Sequence, residues 1–159
     1  MQSTSEDTVF FYYSGHGGNQ HDGNLPHLGL PRGHMISAGN IVSRLKRQPN
    51  RNVIAVFDCC NTFCGEAKGK FGESHKRVTE ATARLLFEQF KGSFVGVAAG
   101  VGWASFSTRK EGSAYSNWLL EYMADEKEGW EHIIQCMEQP DFRAAPSDQY
   151  PFHILKRRK

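Results

Sequence analysis

Nowhere in this chain does an apolar run approach the ~18 residues that a membrane-spanning helix needs, and the start of the sequence lacks a basic region followed by a hydrophobic one. The expectation is therefore a protein that is neither membrane-bound nor secreted. Cysteine is scarce, with four in 159 residues. Cys59, Cys60 and Cys64 are bunched together, which is no disulfide framework and points to a reducing, cytoplasmic setting. Net charge is nearly absent: 19 Lys and Arg against 17 Asp and Glu leave +2, so no nucleic-acid partner is indicated. The one basic cluster, KRRK at 156–159, reads as a solvated tail at the chain end. Internal repeats and domain linkers are also missing. With 39% hydrophobic and 23% charged residues, the composition is that of one soluble globular domain over residues 1–159.

What is present is concentrated in two runs. FFYYSGHGG (10–18) and NVIAVFDCCN (52–61) are each an apolar, β-branched or aromatic stretch that reads as a buried strand and ends in small residues. His16 stands at the lip of one and Cys60 at the lip of the other. Between them there is room for a loop and a helix, the length of a right-handed crossover, so the two strands are expected to lie parallel in one sheet. Ligands of open α/β sheets bind in the crevice beyond the carboxyl ends of the strands, and an imidazole and a thiol delivered there together resemble a base and its nucleophile. Alternation sharpens the choice of thiol. Asp58 shares a face with Cys60, whereas Cys59 points with Phe57 to the other side, which favours Cys60.

Strands and helices alternate along the rest of the chain. A polar, Gly-rich loop (17–33) leads to a helix capped by Ser37 with Ile41, Val42 and Leu45 inward. Residues 61–76 read as a long loop, 79–91 as a helix and 93–99 as a strand. Ser113 is placed to cap a helix whose Tyr115, Trp118, Leu119, Tyr122 and Met123 follow the helical repeat. Trp130, Ile133, Ile134 and Met137 repeat that signature before a last strand near 150–155. The fold class is α/β with a mostly parallel sheet.

Rival sites fail on spacing. A dinucleotide loop of the G-x-G-x-x-G kind needs a glycine where Gln20 stands, and GVGWAS fails at Ser105 in the same way. A zinc site built from Cys59, Cys60, Cys64 and His75 has no C-x-x-C spacing and asks two adjacent cysteines to share one ion, so no metal is expected. Taken singly, Cys60 is a small buried hydrophobe and His16 a satisfied core histidine; their joint position at adjacent strand ends argues otherwise.

At these residues the chain resembles the caspase, metacaspase and paracaspase superfamily of cysteine peptidases. YYSGHGG is similar to the family's histidine strand, and FDCC to its cysteine strand in the D-x-C form of metacaspases and paracaspases rather than the Q-A-C form of caspases. Further on, GWASFSTRKEGSAYSNWLLEYM is similar to the caspase stretch G-Y-x-S-W-R, then G-S-W-F and a helix. The resemblance implies a caspase-like three-layer sandwich. It implies Cys60 as nucleophile, His16 as the group that assists thiolate formation and protonates the leaving amine, and the backbone N–H groups of Gly17 and Cys60 as oxyanion donors. Ser14, Asp58, Ser105 and Ser107 would bind substrate, and a carboxylate at 58 would favour Arg or Lys before the cut. Ser107 stands where caspases carry an arginine that holds Asp. Protein or peptide substrates follow, with no cofactor; the alternative is a caspase-like scaffold that has lost activity.

Two further expectations come with the family pattern. Its domains carry another strand, helix and strand ahead of the histidine strand, so the domain reads as incomplete at its N-terminus. With the family strand order, a contiguous four-stranded sheet remains, with the histidine strand as its edge, which leaves room for a homodimer or for complementation by a preceding segment. The basic stretch 65–77, with Lys68, Lys70, Lys76 and Arg77, is a candidate for self-cleavage.

Overall fold

The two strands that end in the candidate histidine and cysteine are direct neighbours, as their spacing predicts. The computed structural model describes residues 7–48, 51–62, 77–108, 112–124, 127–138 and 149–158. In chain order the elements are β1 (Thr8–Ser14), β2 (Gly17–Gly18), β3 (His27–Gly29), β4 (Met35–Ser37), α1 (Ala38–Leu45) and β5 (Asn52–Asp58). Then come α2 (Glu80–Ala83), running on into a π-helical turn (Arg84–Gln89), β6 (Gly92–Val97), β7 (Ser107–Thr108), β8 (Gly112–Ser113), α3 (Ala114–Ala124), α4 (Trp130–Met137) and β9 (Phe152–Arg157).

The main sheet has the order β1-β5-β6-β9. β1, β5 and β6 run parallel and β9 antiparallel. Among the described residues β1 is an open edge, and its alternate residues Phe10, Tyr12 and Ser14 are exposed. Every residue of β5 is buried, as a central strand covered on both faces requires. Its alternation divides two cores. Val53, Ala55, Phe57 and Cys59 pack with Ala38 and Val42 of α1. Ile54 and Val56 pack with Leu86, with Tyr115, Leu119 and Met123 of α3, and with Trp130, Ile133 and Met137 of α4. Helices therefore cover both faces of a mostly parallel sheet, the expected three-layer α/β architecture. Phe94 stacks on Trp130 at 4.1 Å between centroids, and the indole N–H donates to the Leu86 carbonyl at 2.8 Å.

Ser37 caps α1 as expected, its hydroxyl accepting from the Asn40 N–H at 3.4 Å. Four expectations are corrected. The stretch 17–33 is no plain loop: β2 and β3 join β4 in a three-stranded antiparallel sheet whose strands are too short to carry a readable alternation. Ser113 ends β8, and among the described residues its buried hydroxyl has no hydrogen-bond partner, so it does not cap α3. The strand expected near 150–155 is displaced to β9, two residues on. The basic chain end is not a free tail, since Lys156 and Arg157 belong to β9 and the Arg158 N–H donates to the Lys91 carbonyl at 3.0 Å.

The connections beyond the carboxyl ends of the parallel strands are stitched by two buried amides. Asn61 donates to the carbonyls of Asn24 at 3.0 Å and Ala99 at 3.2 Å, and accepts from the Asn19 amide at 2.9 Å. Gln149 donates to the Ala98 carbonyl at 3.0 Å and accepts from the Phe106 N–H at 3.3 Å. Leaving a buried amide without partners is costly, so these hydrogen bonds help fix where the 99–106 segment passes.

Candidate active site

Ser14 pairs with Asp58 in the β1–β5 register, and His16 and Cys60 each follow by two residues. The ladder continues one step further, from the Gly15 N–H to the Asp58 carbonyl at 3.2 Å. Past it the backbone at His16 is pinned: its carbonyl accepts from the Tyr13 hydroxyl at 2.7 Å and from the Gly29 N–H at 2.8 Å. His16 itself is exposed.

The two adjacent cysteines have opposite environments. Cys59 is 1% exposed and faces the α1 core, and burial, with the Asp58 and Cys60 charges behind it, pushes its thiol up to about 12. Such a thiol is no nucleophile near neutral pH. Cys60 is only half-buried. Its sulfur receives the Ser105 N–H at 3.4 Å, and its thiol donates to the Ser105 carbonyl at 3.6 Å.

Ser105 also reaches the carboxylate, its hydroxyl donating to Asp58 Oδ1 at 3.1 Å. The other oxygen, Oδ2, accepts from Ser116 on α3, and Ser116 shares a 2.8 Å hydrogen bond with the Tyr12 hydroxyl. Asp58 is 3% exposed. Burial raises its pKa, and the hydroxyls of Ser113, Ser116 and Ser105 pull the other way. The buried end of β5 is shielded from water beneath α3, and protein hydroxyls take the place of water around the carboxylate.

Cys60, Asp58 and Ser105 are thus brought together. Ser14 is exposed beside them at the end of β1. Ser107 is exposed on β7, where it pairs with Ser113. Ser116 and Tyr12 were missed. The two-residue period of β1 puts Tyr12 on the same face as Ser14, a signal that could have found it, but nothing local in the sequence links α3 to that strand end. Cys64, His75 and the stretch 63–76 lie outside the described residues; among those described, no group of His, Cys, Asp and Glu is placed to hold a metal ion, and no helix is long and apolar enough to cross a membrane.

Gly17 is where backbone approach is tightest. A Cβ there would sit 2.6 Å from Cys59 Sγ and 2.6 Å from the Cys60 carbonyl oxygen. Because that oxygen is backbone, Gly17→Ala should shift the cysteine segment, lowering stability by about 1–3 kcal/mol and changing the accessibility of Cys60. Thermal unfolding and Cys60 alkylation rates check this, and an unchanged protein would contradict the close packing.

A family model described as the caspase domain matches residues 1–145. No match was found among the curated proteins.

Proposed function

Because the chain belongs to the caspase-domain family of cysteine peptidases, we propose that it is an endopeptidase of the D-x-C, metacaspase-like kind. In this reading residues 1–159 are one domain, His16 and Cys60 are its catalytic dyad, and it cuts after Arg or Lys. The observation that carries the reading is the buried Asp58 carboxylate on the same face as the half-buried Cys60, with Ser105 touching both.

In this reading the reacting groups are side chains and backbone of this chain together with one water. His16 takes the Cys60 proton, and the thiolate sulfur attacks the scissile carbonyl carbon. The C–N bond breaks as His16 returns the proton to the departing amine. Water, deprotonated by His16, then releases the acid from the thioester and restores the thiol. The N–H groups of Gly17 and Cys60 serve the developing oxyanion, a role worth about 3 kcal/mol per donor in other proteases. The Gly17 and Cys60 backbones are in contact range, which is what a shared oxyanion site requires.

At the pocket floor, a guanidinium or ammonium would donate to the Asp58 oxygens, and the Ser105 and Ser116 hydroxyls would turn to accept from it or from one another. Hydroxyls can switch between donor and acceptor at little cost. A substrate Asp would instead bring a second negative charge to a poorly hydrated carboxylate.

The test is a set of fluorogenic peptides that differ only in Arg, Lys or Asp before the cut, with a substrate-like covalent inhibitor mapped by mass spectrometry. Faster cleavage of Arg and Lys peptides with the adduct on Cys60 is expected. Preference for Asp would overturn the pocket assignment, and absence of both turnover and adduct would favour a scaffold.

A further inference from the structure

The ladder that joins β1 to β5 parts at the peptidase site and resumes beyond it. Past the bond from the Gly15 N–H to the Asp58 carbonyl, Gly17 and Gly18 turn to pair with Leu28 and His27 of β3. Asn19 then returns. Its N–H donates to the Thr62 carbonyl at 2.8 Å, at the same sequence offset as Gly15 to Asp58. The interval between those two bonds holds His16, Gly17 and Cys60, the groups to which the reaction is assigned.

Two side chains with no part in that chemistry close the far end of the interval. Asn61 and Asn19 are both buried, and their amides meet at 2.9 Å. The Asn61 Nδ2 faces the carbonyls of Asn24 and Ala99, at 3.0 and 3.2 Å. Carbonyls only accept, so the amide nitrogen must lie on that side and the oxygen must face Asn19. Asn19 has a single orientation for the same reason. Its Nδ2 donates to the Gly23 carbonyl at 3.0 Å as well as to Asn61, and its oxygen accepts the His21 N–H at 2.7 Å. The Asn61 backbone completes the hold, donating to the Trp103 carbonyl at 3.0 Å and accepting from the Gly102 N–H at 2.9 Å. Asn61 thus ties the residue next to Cys60 to both flanks of the site, the 17–24 segment and the 99–105 segment.

We propose that Asn61 and Asn19 are positioning residues of the peptidase reaction: their amide pair holds the Gly17 and Cys60 N–H groups at the spacing that one oxyanion needs. The inference rests on the reading of His16, Gly17 and Cys60 as the peptidase centre. Gly17 stands two residues before Asn19 and Cys60 one before Asn61, so play in the amide pair passes directly to both donors. The close contact at Gly17, where a Cβ would fall 2.6 Å from the Cys60 carbonyl oxygen, limits how near the two backbones come. The amide pair sets how they are aligned along one another. Alignment matters because oxyanion donors act at about 2.7–3.1 Å, and a misplacement of about 1 Å can cost roughly 100-fold in rate.

The test compares Asn19→Ala and Asn61→Asp with the parent on an Arg peptide, beside alkylation of Cys60 by iodoacetamide read by peptide mapping. Asn19→Ala gives up the side-chain bonds to Gly23, His21 and Asn61 and keeps the backbone bond to Thr62. Asn61→Asp keeps the volume and the oxygen that Asn19 uses, but loses both N–H donors. In each variant kcat should fall about tenfold or more, with KM held within about twofold. Alkylation of Cys60 should keep the parent's rate, because displacement at a saturated carbon builds no oxyanion. In Asn61→Asp the loss in kcat should shrink as pH falls, since a protonated carboxyl regains one donor. Thermal unfolding fixes a temperature at which each variant is folded, and Asn19→Ala carries the comparison if Asn61→Asp does not fold. An unchanged kcat, or a joint loss of kcat, substrate binding and alkylation, would overturn the positioning role. A parent without turnover would overturn the peptidase reading and this inference with it, whereas an active parent with unaffected variants would overturn the inference alone.

Discussion

Cys60→Ala should lower kcat/KM for an Arg peptide by more than about 10⁴-fold, the scale seen when a protease loses its nucleophile, while Cys59→Ala should leave most of the activity. Sequence proximity makes the two cysteines look interchangeable; their surroundings do not. Cys59 is 1% exposed with its thiol pushed up to about 12, so it stays protonated at any pH where the enzyme is assayed. The half-buried Cys60 receives an amide N–H from Ser105 at 3.4 Å. Kinetics on both purified variants decide the matter, with folding checked by thermal unfolding because Cys59→Ala leaves a small void against Gly17. Loss of activity in Cys59→Ala with the fold intact would reverse the assignment.

The second large effect is expected at Asp58. Asp58→Asn should cost Arg peptides about 30-fold or more in kcat/KM, the lower bound for removing one partner of a buried charge pair, and should cost peptides with a neutral side chain there much less. The same variant should be more stable than the parent at neutral pH. Burial raises the carboxyl pKa in the folded chain above its unfolded value. Below the unfolded pKa both states are protonated and the parent carries no ionic penalty; as pH rises through the folded pKa, that stability is lost. Asparagine does not ionise, so its advantage should be small in acid and grow toward neutrality, a trade of stability for function common at binding sites. Unfolding midpoints across that range test the sign. A variant less stable than the parent at every pH would refute the burial account, and an unchanged Arg preference would refute the pocket.

Much of this was legible in the sequence because it is local. The two-residue period of NVIAVFDCC put Cys59 with Phe57 and Cys60 with Asp58, and the structure sends Cys59 into the core under α1. Crossover length made β1 and β5 parallel neighbours. Ser37 before an apolar helical repeat marked the start of α1, and the apolar spacing of 130–137 marked α4 as a core helix. Each is a signal written within a few residues and enforced by a backbone that repeats every 2 or 3.6 positions.

Only the tertiary structure decided what surrounds the carboxylate and where the basic chain end goes. Asp58 meets Ser116 across 58 positions, and Ser116 meets Tyr12 across 104; no periodicity reaches that far, and a serine on a helix is as good a surface residue as a hydroxyl donor until packing chooses its neighbour. The KRRK run looked like a solvated tail because charge at a chain end has no local reason to order. Antiparallel pairing of β9 with β6 gave it one, drawing Lys156 and Arg157 onto the sheet and bringing them beside Lys46 and Arg51, more than a hundred residues earlier in the chain. Sequence determined which residues form the strands and which side of a strand each one takes. The packing of distant elements determined which charges and hydroxyls share one space, because that depends on contacts whose partners the chain does not place near one another.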